Sequence, residues 1–116
     1  MLFSGSSPEW ADVKPEGEHY ITDGPFMYRT KDGDLLLIWS TFINHKYAQC
    51  IAKSDNGDID GNFIHLPPLI ANDGGHGMIF KAENKLMLTF HTPNQTGYER
   101  PVFHELEDLG NTIKMK

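Results

Sequence analysis

Four side chains in this sequence combine groups able to do chemistry with neighbours that would hold them still: Asp23, Phe26, His76 and Arg100. Asp23 precedes Gly24-Pro25. The proline fixes φ and the glycine lets the chain bend, so a carboxylate can be presented rigidly where a strand begins. Such a group can transfer protons, although Asp23-Gly24 taken alone reads equally as a turn cap. His76 sits between glycines in Gly74-Gly75-His76-Gly77, and one imidazole is a poor calcium site, because calcium takes several oxygen ligands. Arg100 offers a planar fork of donors for carboxylates and hydroxyls; an ion pair with Glu99 or Asp108 is the alternative. Phe26 and Trp39 both have rings that can stack on a ligand. Trp39 lies inside an apolar run and reads as core, which leaves Phe26 as the better pocket wall. His91, at the end of Phe90-His91-Thr92, borders the same region without an assigned role.

Positioning these groups requires an ordered scaffold, and the composition permits one. Hydrophobic residues make up 39% of the 116 residues and aromatics 11%, enough for a core in one domain or a piece of a larger one. Asp and Glu outnumber Lys and Arg by 16 to 10, and no basic stripe occurs, which argues against nucleic acid or an anionic membrane as partner. An uncharged polymer such as a polysaccharide imposes no charge on its binder. Cys50 is the single cysteine, so no internal disulfide forms and the redox compartment is not legible. The first residues lack the basic start and apolar stretch of a signal peptide, and no segment reaches spanning length.

The scaffold shows itself as a repeat. At an offset of 51 positions, Gly24, Met27, Leu35, Leu37, Thr41 and Tyr47 fall on Gly75, Met78, Leu86, Leu88, Thr92 and Tyr98. The same offset lays His76 on Pro25. Short apolar runs bounded by Gly, Asn, Asp and Pro predict strands over Phe26–Arg29, Leu35–Thr41, Tyr47–Ser54 and Phe63–Leu66. In the second unit they predict Met78–Phe80, Lys85–His91, Val102–Leu106 and Thr112–Met115. Lys31-Asp32-Gly33-Asp34 and Glu83-Asn84 are the matching hairpin turns. Leu35-Leu36-Leu37-Ile38-Trp39 must be covered on both faces, as the inner strands of stacked blades are. The expected fold class is therefore all-β: two four-stranded antiparallel blades of a β-propeller. Residues 1–20 read as an inter-blade connection, 21–70 as one blade and 71–116 as the next, C-terminal blade. Two blades do not close a ring, so the chain is expected to be part of a larger protein or to complete its sheets as a homo-oligomer.

Thr22-Asp23-Gly24-Pro25-Phe26-Met27-Tyr28-Arg29, then Gly74-Gly75-His76-Gly77-Met78-Ile79-Phe80, then Glu99-Arg100-Pro101-Val102-Phe103 resemble, in order and spacing, glycoside hydrolase family 43. The resemblance covers almost everything from Ile21 onward. It implies a five-bladed propeller of the β-xylosidase, α-L-arabinofuranosidase and arabinanase kind, acting by inversion on pentose-containing plant cell-wall polysaccharides or oligosaccharides. It implies Asp23 as the general acid, where family members most often carry Glu. Phe26, His76 and Arg100 would contact substrate. For His76 it leaves open a pocket role, a ligand role to an axial calcium, or a structural hydrogen bond. It implies no required cofactor, and members are secreted, periplasmic or cytoplasmic in bacteria. Inversion needs a second carboxylate roughly 6.5–9.5 Å from the first. The resemblance places that base on earlier blades, so this chain alone is expected to be inactive. A non-catalytic propeller module that binds sugar or protein is the alternative.

Overall fold

The computed structural model describes residues 2–4, 8–11 and 20–116. Much of the expected inter-blade connection, residues 5–7 and 12–19, lies outside the described residues. Eight strands follow: β1 Asp23–Arg29, β2 Leu35–Ile43, β3 Lys46–Ser54, β4 Phe63–Ile70, β5 Gly75–Ala82, β6 Lys85–Thr92, β7 Arg100–Asp108 and β8 Ile113–Met115. They form two four-stranded antiparallel sheets, β1-β2-β3-β4 and β5-β6-β7-β8, with no helix among the described residues. Strand β4 runs on through Pro67-Pro68 where the sequence predicted a stop at Leu66. Proline is tolerated there because β4 is the outermost strand and its ladder with β3 is irregular at that point.

Turn chemistry sets the register. Strands β2 and β3 are joined by Asn44-His45, and β5 and β6 by Glu83-Asn84, both pairs with positive φ at each central residue, the backbone of tight two-residue hairpins. The β1–β2 connection is one residue longer. The Thr30 N–H donates to the Asp34 carbonyl at 2.9 Å, leaving Lys31-Asp32-Gly33 outside the ladder with Gly33 at φ 94°. That residue corrects the repeat. Phe26 pairs with Ile38, and Met78 with Thr89, so the second strands align at 51 positions and the first strands at 52. His76 therefore matches Gly24, not Pro25. Both residues sit in the same register break, Asp23/Phe26 in β1 and Gly75/Met78 in β5, and both have left-handed φ, 50° and 58°.

The sheets stack face to face. Leu36, Ile38 and Ile51 of the first meet Ile79, Leu88, Leu106 and Ile113 of the second, with Phe26, Tyr28, Leu66 and Phe90 packed around them. Burying seven such aliphatic side chains, at about 1.5–3 kcal/mol each, is the main term holding the blades together. The opposite face of the first sheet presents Trp39, Ile43, Ala48 and Cys50, covered by Phe3 and Trp10. All nine residues of β2 are consequently buried, as its two-sided apolar sequence requires. Burial pushes the Cys50 thiol up to about 12, so it behaves as a small apolar residue. Far from Asp23, the blades are tied again: the Tyr28 hydroxyl and the Lys31 N–H donate to Asp108 Oδ2 at 2.7 and 2.8 Å.

Candidate functional site

The two register breaks bring Asp23 and His76 together although they stand on different blades. Asp23 Oδ2 accepts the Tyr47 hydroxyl at 2.9 Å and lies 3.3 Å from His76 Nδ1, while Oδ1 accepts the Gly24 N–H at 3.0 Å. The β5 backbone is sewn to the first blade beneath them. The His76 N–H donates to Ser40 Oγ at 2.7 Å and the Gly77 N–H to Gln49 Oε1 at 2.8 Å, and Gln49 Nε2 donates to the Trp39 carbonyl at 3.1 Å. Ser40 and Gln49 are fully buried. This close approach explains the glycines flanking His76. A Cβ at Gly75 would stand 2.8 Å from Ser40 Oγ and from the Tyr47 ring, and one at Gly77 2.5 Å from Gln49 Oε1.

Tyr47, His91 and Asn94 extend the site. The His91 ring stacks on Tyr47 at 5.4 Å and faces His76 at 6.2 Å, and its Nε2 lies 2.9 Å from Asn94 Oδ1. Asn94 is held in turn by its N–H on Asp73 Oδ1 at 2.9 Å. Ile21, Asp23, Phe42, Tyr47, His91 and Asn94 line an open cavity of about 240 Å³. On the other side of Asp23 a smaller one, about 140 Å³, is bounded by Phe3, Thr22, Pro25, Leu37 and Trp39. Burial, reinforced by the Asp23 acceptor, raises the Tyr47 hydroxyl well above the usual tyrosine range, so Tyr47 remains a proton-bearing donor to Asp23 near neutral pH. A larger cavity, about 480 Å³, lies elsewhere, between β4 and β8. No histidine or carboxylate among the described residues lines it.

Of the residues expected to converge, Asp23 and His76 meet. Arg100 opens β7 opposite Thr92, is exposed, and turns its guanidinium to the Glu99 carbonyl at 2.8 Å; it lines neither Asp23 cavity. Phe26 packs into the inter-blade core, which corrects its expected place in a pocket wall. Its position pairs with Ile38 on the face turned toward the second blade, and burial there outweighs display to solvent. The calcium expectation does not fit this donor set. Among the described residues no three His, Cys, Asp or Glu side chains group closely enough to hold a metal, and Asp23 already has a partner on each oxygen. Tyr47 and Asn94 escaped the sequence reading. Tyr47 carried a signal as a repeat position, but an aromatic residue opening a strand reads first as core.

No protein-family model and no curated protein matches the chain. Among solved structures it is similar to an endo-arabinase from Bacteroides thetaiotaomicron, with 37% sequence identity and a TM-score of 0.83 over 91% of this chain. The chain spans 39% of the length of that protein. The two sheets are thus a β-propeller fragment with the fold of an arabinase, a glycoside-hydrolase-like fold.

Proposed function

We propose that this chain supplies two blades of an inverting glycosidase for pentose-containing cell-wall polysaccharides, with Asp23 as the group that protonates the leaving glycosidic oxygen. One observation carries the reading: Asp23 and His76, on separate blades, stand 3.3 Å apart beside an open cavity. In this role the Tyr47 hydroxyl and His76 orient the carboxyl, while His91 and Asn94 offer polar edges to sugar hydroxyls. The likeness to an endo-arabinase supports arabinan over xylan as the substrate class. Among the described residues Asp23 is the sole carboxylate lining either of its cavities, so none of them offers a water-activating base there, and the isolated chain is expected not to turn over substrate. Side chains from further blades would have to provide that base.

A second reading, a sugar-binding module without catalysis, is favoured by the engagement of both Asp23 oxygens. One experiment separates the two. The His76 and His91 ring resonances are followed by NMR during titration with linear arabino-oligosaccharides and xylo-oligosaccharides, alongside hydrolysis assays with aryl arabinofuranosides and xylosides. Saturable shifts at both rings without turnover are expected. Shifts that persist unchanged in Asp23→Asn favour the binding module. Turnover that disappears in Asp23→Asn contradicts the expected inactivity, and no shift with either sugar rejects a sugar site here.

A further inference from the structure

Another cavity stands at the end of the blade seam remote from Asp23. It measures about 330 Å³, and Lys31, Lys81 and Lys85 line it together with Asn84. Lys31 follows β1, and Lys81 and Lys85 flank the β5–β6 turn. A strand's length therefore separates them from Asp23 and His76, which lie at the opening of the same strands. The two walls come one from each blade, so both are present in this chain. Lys53, Lys114 and Lys116 each have a carboxylate within ion-pair distance, on Asp34, Glu107 and Glu105. Lys31, Lys81 and Lys85 pair with none among the described residues. The carboxylate on the cavity wall, Asp108, is already engaged: Oδ2 accepts the Tyr28 hydroxyl and the Lys31 N–H, and Oδ1 accepts the Gly110 N–H at 2.8 Å. Three ammonium groups against one carboxylate leave a surplus of two positive charges there, on a chain whose net charge is −6.

We propose that this cavity binds a phosphate group, free or carried on a small molecule. Residue type selects that class. A guanidinium fork fits a planar carboxylate, whereas lysines are separate point charges that approach a tetrahedral anion from several sides. Neither arginine stands on the cavity. Arg29 donates to the Gly33 and Gly57 carbonyls at 2.9 Å, and Arg100 to the Glu99 carbonyl at 2.8 Å. A phosphate ester carries close to two negative charges near neutral pH, which matches the surplus. The Asn84 amide adds a neutral donor, and its left-handed φ of 68° in the two-residue turn sets where Lys85 leaves the backbone. Lys81 is held in the ladder opposite Leu86, and the Lys31 N–H is pinned to Asp108. The three stems thus start from anchored backbone, and only their ends must order around the anion. Nearby acids do not cancel the field: Asp32 and Glu83 do not line the cavity, and Glu105, which feels Lys85 at longer range, is taken by Lys116 at 2.9 Å.

Isothermal titration at about pH 8, where a phosphate ester is doubly charged, tests this on the unmodified chain with inorganic phosphate, ribose 5-phosphate, ribose and glucuronate. Saturable binding of inorganic phosphate is expected, weakening as salt is added, with glucuronate weaker and ribose silent. Binding of ribose 5-phosphate as well assigns a phosphate ester as the ligand; binding of inorganic phosphate alone assigns the free ion. Lys31→Gln, Lys81→Gln and Lys85→Gln change exposed side chains, and each is expected to weaken binding about two- to fivefold. The triple variant is expected to abolish it, and the single variants keep the test open should the triple variant not fold. Lys46→Gln removes the same charge at the start of β3 and is expected to leave binding unchanged. In NMR spectra, phosphate should shift the amides of Lys31, Asn84 and Lys85 and leave His76 unmoved. Absence of saturable binding by both phosphate probes overturns the proposal. So do glucuronate binding more tightly than phosphate, a loss in Lys46→Gln equal to that in the cavity variants, or shifts centred on His76.

Discussion

His76 holds a left-handed φ of 58° where the matching position of the first blade holds Gly24 at 50°. A residue with a Cβ in that conformation carries roughly 1–2 kcal/mol of strain, which glycine avoids. At ordinary strand positions the order is reversed, with alanine favoured over glycine by about 0.5–1 kcal/mol through the unfolded chain. Subtracting the midpoint of the second range from that of the first leaves glycine favoured at position 76 by about 0.75 kcal/mol. The informative comparison is His76→Gly against His76→Ala. Both variants lose the same contact with Asp23, whose partners are 51% and 47% exposed and whose worth is about 0–1 kcal/mol, so that contribution cancels. Urea unfolding should place the midpoint of His76→Gly above that of His76→Ala, with a melting temperature higher by about 2–4 °C. Both variants should lose the NMR response to sugar. The physical content is that a strained histidine is retained where glycine would be more stable, which is expected of a residue kept for its side chain. His76→Ala matching or exceeding His76→Gly in stability would refute the strain and the inference drawn from it.

Further outcomes follow from other contacts. Gly24→Ala places a Cβ 3.0 Å from the His76 ring and 3.1 Å from its Cα on a left-handed backbone, and should cost about 1–3 kcal/mol by urea unfolding. Gln49→Leu removes the acceptor of the buried Gly77 N–H and should likewise cost about 1–3 kcal/mol, with backbone amide shifts concentrated in β5. Burial by itself would raise Asp108, but the Tyr28 hydroxyl and the Gly110 and Lys31 N–H groups prevail and hold its carboxyl below the usual range. A depressed carboxylate contributes stability above its unfolded value, roughly 3.9, and loses it as pH falls through the folded value. Tyr28→Phe should therefore cost about 1 kcal/mol at neutral pH, a penalty that shrinks below about pH 4. Thermal melts of the two proteins from pH 7 to pH 3 measure the convergence. The same burial and pairing hold the Tyr28 hydroxyl up at about 12, so alkaline titration of this tyrosine is expected well above the ordinary tyrosine value of about 10.

What the sequence determined alone is what short-range chemistry encodes. Leu35-Leu36-Leu37-Ile38-Trp39 admits one solution, a strand covered on both sides, and Gly33 and Asn84 mark hairpins because few residues tolerate their φ. Those signals repeat, so two four-stranded sheets were legible before any coordinate. Tertiary structure decided the rest, because the chemistry of the site depends on distances between residues about fifty apart in the chain. One extra residue in the β1–β2 turn shifted the first strands by one position, put His76 in the place of Gly24 instead of Pro25, and aimed its ring at Asp23. Inter-blade packing drew Phe26 into the core and gave Tyr47, not Arg100, the place beside the carboxylate. The local pattern specifies which way a side chain alternates along its own strand. Which neighbour it meets is fixed only when one sheet settles on another.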